Sequence, residues 1–386
     1  MDIFAKCHDP RLEELRSAQA LGLMPFFREL DVEAPPGLVM LGSNNYLGLA
    51  QDPRVKLAAA DALEAYGTGC TGSRLMNGTL SLHRQLEEEL AEWMGTEACL
   101  VFTTGYGVNL GVISTLVGPE DLVLADSASH ASVVDGTRMC SGKARLFSHN
   151  SESSLRRRLA AWSPPDGGAL VVVEGVYSME GDVGLVGPLE AACRELGARL
   201  MVDEAHSLGV LGPEGAGVAA AGGVKPDLLM GTFSKSLASC GGFLAGPSEV
   251  VDYLRIACRP FLFTASGVPA AVAAALAAAR IARKEDWRRD AVLDRSRQLH
   301  RGLAELGYNV GSPPPAAIVP VVVGDDWSAG TLWNALLQEG VYTNCCVAPA
   351  VSRDGALLRC SVEATHAVED IDRAIEAFGV VRSKLA

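Results

Sequence analysis

Short hydrophobic runs alternate with longer amphipathic segments over most of this chain. The runs that are apolar throughout are typical of strands buried on both faces of a parallel sheet. The strand-like runs fall at residues 98–102, 121–125, 144–147, 169–175, 199–203, 227–231 and 241–246. Between most of them, apolar residues recur every three or four positions, which predicts helices. The alternation of strand and helix predicts an α/β fold around a mostly parallel sheet with right-handed crossovers.

The pattern changes towards the C-terminus. A long helical pattern over residues 266–306 is interrupted at Glu285–Asp286, and Gly-Ser-Pro-Pro-Pro at 311–315 has the composition of a linker. The segments that follow alternate between strand and helix, as expected of a small second domain. We therefore predict an N-terminal segment, a large domain and a small C-terminal α+β domain, over residues 1–45, 46–285 and 286–386.

Composition narrows the class of protein. The chain has 386 residues and a net charge of -13, and its hydrophobic fraction of 48% is ordinary for a globular enzyme. Proteins that bind nucleic acids present basic surfaces, so this charge argues against that function. The basic run Arg156–Arg158 is most simply the solvated face of a helix.

Neither a membrane span nor a metal site is expected. The longest apolar run, Val268–Ala282, is rich in alanine and shorter than a membrane-spanning helix. The N-terminal residues are charged and lack the apolar core of a signal peptide. The ten cysteines show no metal-binding spacing, and the adjacent pair Cys345–Cys346 is poorly suited to chelation. We expect a cytoplasmic protein with reduced thiols.

Two neighbouring strand ends carry the candidate chemistry. The run at 199–203 ends at Asp203, with His206 three residues later, and the run at 227–231 is followed by Thr232 and Lys235. The carboxyl ends of strands line the ligand crevice of an open α/β sheet. A carboxylate and a lysine there indicate a pyridoxal 5'-phosphate (PLP) site, since the lysine forms a Schiff base and the carboxylate keeps the pyridine nitrogen protonated.

Other strand ends suit the same site. Thr-Thr-Gly-Tyr-Gly at 103–107 stands between a strand and a helix, where free backbone N–H groups and the helix dipole can bind an anion. His130 follows the second strand, and Ser127 or Ser129 is expected to cap the next helix. A polar loop, Ser-Asn-Asn-Tyr-Leu-Gly at 43–48, lies in the site only if it folds over it.

Taken together, these motifs resemble those of the α-oxoamine synthases, a branch of the fold-type I PLP enzymes. The resemblance extends from about Leu41 to His366. It rests on the motifs SNNYLGL (43–49), GTGCTGSR (67–74), TGYGVN (104–109), SHAS (129–132), EGVYSMEGD (174–182), DEAH (203–206), GTFSKS (231–236) and RCSV with TH (359–366). It implies a large domain with a seven-stranded type of mostly parallel sheet, a small C-terminal α+β domain, and PLP as the cofactor.

The resemblance assigns catalytic roles to residues at matching positions. Lys235 would hold the cofactor and act as the base at the α-carbon of the substrate. Asp203 would bond the pyridine nitrogen, and His206 and Ser178 would contact the phenolic oxygen of the ring. His130 would stack on the face of the ring.

The remaining cofactor contacts concern the phosphate. Gly105 and Tyr106 would bind it through backbone N–H groups, and Thr232 would add a hydroxyl. Thr264 would reach the phosphate of a neighbouring subunit. The resemblance therefore also implies a homodimer with shared active sites.

The resemblance also assigns a substrate side. Arg359 would pair with the carboxylate of an amino acid, and Asn45 and Tyr46 would line the pocket. The implied reaction condenses an α-amino acid with an acyl thioester and gives an α-amino ketone, carbon dioxide and a free thiol. The amino acid is left open between serine, glycine and alanine, and the acyl carrier between coenzyme A and an acyl carrier protein. The sequence at 357–362 is most similar to the serine palmitoyltransferase branch, whereas Ser-Gly-Val-Pro-Ala at 266–270 departs from a common Ser-Leu-Pro-Pro pattern.

Two other functions compete with this one. An aminotransferase or lyase of the same fold would keep Lys235 and Asp203 but would not need the polar loop at 43–48. A noncatalytic partner subunit would lack the lysine, so the presence of Lys235 disfavours that interpretation.

Overall fold

The computed structural model describes residues 2–30, 37–162, 167–311, 316–352 and 354–385. Residues 312–315 of the predicted linker lie outside the described residues. The helices are α1 (Pro10–Ala20), α2 (Pro53–Tyr66), α3 (Ser81–Met94), α4 (Gly105–Leu116), α5 (Ala131–Met139), α6 (Glu152–Ala160), α7 (Val186–Glu195), α8 (Val218–Ala221), α9 (Ser248–Ala257), α10 (Arg259–Leu262), α11 (Pro269–Lys284), α12 (Asp286–Glu305), α13 (Asp326–Gln338) and α14 (Val368–Leu385).

The strands are short, and those between residues 98 and 246 match the seven predicted runs closely. They are β1 (Val39–Met40), β2 (Ala98–Phe102), β3 (Leu122–Asp126), β4 (Lys143–Phe147), β5 (Ala169–Glu174), β6 (Arg199–Asp203), β7 (Leu228–Thr232), β8 (Gly242–Gly246), β9 (Ile318–Gly324), β10 (Val341–Tyr342), β11 (Asn344–Cys346) and β12 (Ala356–Ser361). Turns of 3-10 helix occur at Ile3–Cys7 and Pro213–Gly215. No helix among the described residues is both long and apolar enough to cross a membrane.

The large sheet has seven strands in the order β2-β8-β7-β6-β5-β3-β4. Strand β8 runs antiparallel to both of its neighbours, and the other adjacent pairs are parallel. Both faces are covered: Leu122 and Leu124 pack into one hydrophobic cluster, and Val123 and Ala125 into another. This confirms the predicted α/β class, since strands buried on both faces have no polar side for water.

Smaller sheets form the C-terminal part. Strands β11, β12 and β9 make an antiparallel sheet of three, and β1 pairs with β10 in parallel. The predicted N-terminal segment therefore contributes a strand to the C-terminal part of the molecule. Glu285 separates α11 from α12, where the sequence predicts an interruption. The boundaries at 45 and 285 stay predictions.

The sheet topology determines where the site lies. Glu174, Asp203 and Thr232 are the last residues of β5, β6 and β7, which are adjacent and parallel. Their side chains and the loops that follow therefore meet at one edge of the large sheet. The helix α4 begins at the same edge because it follows β2 after two residues.

Candidate active site

Lys235 lies at this edge, beside a buried histidine. Its Nζ is 2.8 Å from Nε2 of His206. Burial lowers the pKa of Lys235 to about 8, while Asp203 and Glu174 act in the opposite direction. The pKa of His206 is well below its usual value because of burial, with Lys235 adding to the effect. Near neutral pH a larger fraction of this amine is therefore neutral than of an ordinary lysine, and the neutral amine is the form that attacks an aldehyde.

Asp203 is a buried carboxylate held by an amide. Its Oδ2 accepts a 2.7 Å hydrogen bond from Nδ2 of Asn109, and its Oδ1 accepts one of 2.9 Å from the Ala205 N–H. Asn109 lies on α4 and also donates to Ser132 Oγ at 2.9 Å. Among the described residues, no cation lies within ion-pair distance of Asp203. The carboxylate is thus oriented but has no charged partner, as suits a group that receives a protonated pyridine nitrogen.

His130 begins the helix α5. Its ring caps that helix by accepting the Ser132 N–H at 3.2 Å, so neither Ser127 nor Ser129 is the cap that the sequence predicts. Ser132 Oγ lies 2.8 Å from the same Nδ1 atom. Burial lowers the pKa of His130, with Lys235 adding to this effect and Asp203 opposing it. The result is a neutral, oriented ring at the edge of the sheet, suited to stacking on a flat cofactor.

The start of α4 can hold a phosphate. Thr104 Oγ1 caps the helix by accepting the Gly107 N–H at 2.9 Å, and the first backbone N–H groups of a helix lack intrahelical acceptors. A Cβ atom on Gly105 would lie 2.7 Å from Thr232 Oγ1, so only glycine leaves this space open. The Tyr106 hydroxyl donates to Asp135, while the backbone N–H of Tyr106 lies in the first turn of α4. These features fit the phosphate of PLP, as Asp203 and Lys235 fit its ring and aldehyde.

Arg359 lies on β12 and is 4% exposed. It donates to Ser178 O at 2.7 Å, Asn44 Oδ1 at 2.9 Å and Tyr46 Oη at 3.0 Å. No carboxylate of the described residues lies within ion-pair distance of it. A buried guanidinium without a counterion is unfavourable, because burial removes the water that would solvate its charge. The site is therefore arranged for an external carboxylate, which a guanidinium binds through two parallel N–H groups.

The polar loop at 43–48 does fold over the site. The Tyr46 hydroxyl lies 2.7 Å from Nδ1 of His206, and the Tyr46 side chain is fully buried. Asn45 instead turns away, with Nδ2 3.1 Å from Glu363 Oε2 and Oδ1 accepting the Ala50 N–H. The neighbouring Asn44 contacts Arg359. Sequence reasoning missed Asn44 because consecutive asparagines carry the same chemistry, and only the loop geometry distinguishes them.

Two predicted site residues contribute differently from the others. Ser178 presents its backbone carbonyl to Arg359. Thr264 follows α10, next to Ala265, which forms an isolated bridge with Ser73. Ser73 belongs to the glycine-rich stretch, which is the GTGCTGSR motif at 67–74. Thr264 makes no hydrogen bond to the other predicted site residues within the described part of the chain, and its contact with the phosphate of a neighbouring subunit stays a prediction.

Glu174 is a further site residue that the sequence reasoning missed. It pairs in register with Asp203, and its Oε1 accepts the backbone N–H of His130. Burial raises its pKa well above the usual value, and the negative charge of Asp203 adds to the shift. Burial and the neighbouring Asp203 thus favour the protonated form of Glu174, and its carboxyl orients His130 through this hydrogen bond. The only signal for it was its position at the start of the EGVYSMEGD motif.

Comparisons with known proteins agree with this geometry. The family model for aminotransferase class I and II matches residues 36–378. The serine palmitoyltransferase of Caulobacter vibrioides is 41% identical over 395 residues, which cover 100% of this chain and 97% of that protein. The putative 8-amino-7-oxononanoate synthase 2 of Mycobacterium tuberculosis is 43% identical over 343 residues, which cover 88% of this chain and 44% of that protein.

A solved structure extends the likeness to three dimensions. The serine palmitoyltransferase from S. paucimobilis with bound PLP and myriocin superposes with a TM-score of 0.95 at 36% identity, covering 100% of this chain and 99% of that one. The matched regions include both the large sheet and the C-terminal part that carries Arg359. This chain belongs to the α-oxoamine synthases, the PLP-dependent enzymes that condense an amino acid with an acyl thioester and release carbon dioxide.

Proposed function

We propose that this enzyme condenses L-serine with a long-chain acyl thioester. The observation that carries the proposal is the buried Arg359, which has no carboxylate partner among the described residues and lies beside His206 in the lysine site. An α-carboxylate is the group that this guanidinium would bind. Serine is favoured over glycine and alanine because the full-length relatives of about the same size are named serine palmitoyltransferases.

The residues at the sheet edge would hold PLP in one orientation. Lys235 would bind its aldehyde carbon, Asp203 its ring nitrogen, and the start of α4 with Thr232 its phosphate. When bound, PLP supplies an electron sink that stabilises negative charge at the α-carbon of the amino acid. Asp203 supports this role because a protonated ring nitrogen withdraws electrons more strongly.

The chain's own groups would then orient the substrate and move its protons. Arg359 would fix the carboxylate, with Asn44 and Tyr46 setting the direction of the guanidinium. This sets which bond at the α-carbon stands perpendicular to the ring. Lys235, with a pKa of about 8, can take the α-proton as a neutral amine and return a proton after carbon dioxide leaves. Asp203, His206 and Arg359 are buried, which limits the access of water to these groups.

We also propose that the enzyme is a homodimer in the cytoplasm. Apolar side chains are exposed on and near the glycine-rich stretch, including Leu75, Met76 and Phe263, of which Met76 is 77% exposed. Patches of this kind mark protein interfaces. Thr264 adjoins the exposed Phe263 of this patch, which supports its proposed contact with the phosphate of a second copy. The acyl carrier, coenzyme A or an acyl carrier protein, is left to experiment.

The test is direct. The PLP-loaded enzyme is mixed with palmitoyl-coenzyme A and either serine, glycine or alanine, and free thiol and carbon dioxide are measured. We expect both products with serine, in equal amounts, and neither from Lys235→Ala. Transfer of the amino group to a keto acid without thiol release would instead assign an aminotransferase. A preference for glycine or alanine would refute serine as the substrate and leave the condensation standing.

A further inference from the structure

The loop that carries Asn44 and Tyr46 has no regular secondary structure, yet its side chains determine how Arg359 is held. One side of this loop is fixed by the C-terminal part of the chain. The Ala364 N–H donates to Tyr46 O at 2.8 Å, and Asn45 contacts Glu363. After Tyr46, the side chains of Leu47 and Leu49 are fully buried and Asn45 Oδ1 accepts the Ala50 N–H, but none of these contacts provides a donor for the Leu47 carbonyl.

Arg288 supplies that donor. It lies near the start of α12 and is 6% exposed. Its Nη1 donates to Leu47 O at 2.7 Å, its Nη2 to Asp52 Oδ2 at 2.9 Å, and its Nε to Glu285 Oε2 at 2.7 Å. One planar guanidinium thus ties the loop to the start of α2 and to the junction between α11 and α12. Lysine could not reproduce this, since an ammonium lacks the fixed fork of donors.

Arg54 is a matched comparison for Arg288. It contacts the same two carboxylates, Asp52 at 2.7 Å and Glu285 at 2.6 Å, so the two arginines and two acids form a neutral cluster. Arg54 makes no contact with the loop carbonyl, and its side chain is 52% exposed. Both arginines therefore pair with the same two carboxylates, but only Arg288 also bonds the Leu47 carbonyl.

We propose that Arg288 is a positioning residue for amino-acid binding, which acts through Leu47 on Tyr46 and so on Arg359. Tyr46 is the next residue to Leu47, and its hydroxyl lies 3.0 Å from Arg359 and 2.7 Å from His206. Loss of the bond to the Leu47 carbonyl loosens the backbone next to Tyr46 and weakens the contacts of its hydroxyl with both partners. The guanidinium of Arg359 is then held mainly by Ser178 O and Asn44, although no residue that touches substrate has changed. The identity of the amino acid in this proposal rests on the proposed function.

The first test compares Arg288→Lys with the matched control Arg54→Lys in the PLP-loaded enzyme. In Arg288→Lys we expect KM for serine, and the dissociation constant of serine from spectral titration, to rise about tenfold, as expected for the loss of one hydrogen bond to a charged donor. We expect kcat and the affinity for PLP to stay within about twofold of wild type, and Arg54→Lys to stay within about twofold throughout. Equal effects of the two substitutions would overturn the proposal.

The second test asks whether Arg288 acts through Tyr46. If it does, the double variant with Tyr46→Phe binds serine no more weakly than Tyr46→Phe alone, whereas additive losses overturn the proposal. Hydrogen exchange in the PLP-free protein gives a readout independent of activity. The amides of residues 43–50 should exchange about tenfold faster in Arg288→Lys than in Arg54→Lys. Equal exchange contradicts the inference.

A third variant, Glu285→Gln, is a milder change that tests the proposal even if Arg288→Lys fails to fold. Glu285→Gln removes the charge from one anchor of Arg288 but keeps its side chain in place, so KM for serine should rise in the same direction by a smaller factor. If Arg288→Lys does not fold and KM for serine is unchanged in Glu285→Gln, the proposal is overturned. Failure of the wild-type enzyme to bind serine refutes the proposed function instead, and the exchange experiment still decides the role of Arg288.

Discussion

Replacement of Arg359 by lysine separates the charge of this residue from its geometry. In the site, three of its N–H groups already bond Ser178 O, Asn44 and Tyr46. These bonds hold the plane of the guanidinium, so an incoming carboxylate meets an oriented fork of donors. Lysine keeps the positive charge and one contact with the carboxylate. One hydrogen bond to a charged group contributes about 1.5–3 kcal/mol, and kcat/KM for serine should therefore fall about 10- to 150-fold.

The assay is initial-rate release of free thiol over a range of serine concentrations at saturating palmitoyl-coenzyme A. The loss should lie mainly in KM, because the lysine still neutralises the bound carboxylate. Arg194→Lys is the matched control, since its side chain is 73% exposed and pairs only with Glu190 in the described structure. Retention of wild-type kcat/KM in Arg359→Lys would refute the assignment of this residue to the substrate carboxylate.

Three further predictions concern protonation around the site. The pKa of Lys235 is lowered from 10.5 to about 8, so this group binds more protons in the unfolded chain between these values, and its contribution to stability rises with pH across that range. The melting temperature of the PLP-free wild type should therefore rise relative to that of Lys235→Met between pH 8 and 10.5, and a constant difference between the two proteins would contradict it. The pKa of His149 is raised from 6.5 to about 10 by hydrogen bonds with Asp126 and Asp182, so its stabilisation is complete below pH 6.5 and is lost as pH rises through 10. In thermal melts, His149→Gln should therefore be less stable than wild type at pH 6 and approach it above pH 10, and a constant difference would be the wrong result. Glu174→Gln imitates a protonated carboxyl and should change the free energy of unfolding by less than about 0.5 kcal/mol, whereas Glu174→Ala leaves the His130 N–H unpaired and should lower it by about 1–3 kcal/mol in urea titrations.

The sequence predicts the framework of the site well because strand ends in a parallel sheet leave few choices. A run such as 199–203 is buried on both faces, so its first polar residues must lie at the carboxyl edge, as Asp203 does. The same reasoning places Thr232 and the start of α4 at that edge. The strand order and the antiparallel β8 are not encoded in any local pattern, since they depend on which strands pair.

Residues whose role depends on the folded backbone or on a neighbouring residue could not be predicted from the sequence. Asn109 lies one turn into α4, and its amide reaches Asp203 only because the helix starts beside β6 and β7. Glu174 looked like an ordinary strand end, and its role depends on burial next to Asp203. The choice between Asn44 and Asn45 depends on the backbone of a loop that is set by contacts more than 200 residues away in sequence.

The order of strands in the large sheet also bears on how the chain is made. Strand β2, at one edge, has β8 as its partner, and Ala98 pairs with Gly246. During synthesis β2 therefore leaves the ribosome well before any strand that can cover it. The loop over the active site at 43–48 follows β1 and is completed even later, because β1 pairs with Val341–Tyr342 near the C-terminus. Long-range pairings of this kind form late in folding. Until then the unpaired N–H and C=O groups of the strand edge can bond other chains. Expression of truncated forms that end before residue 341 should therefore give aggregation-prone protein, and a nascent chain is expected to depend on chaperones until its last hundred residues have emerged.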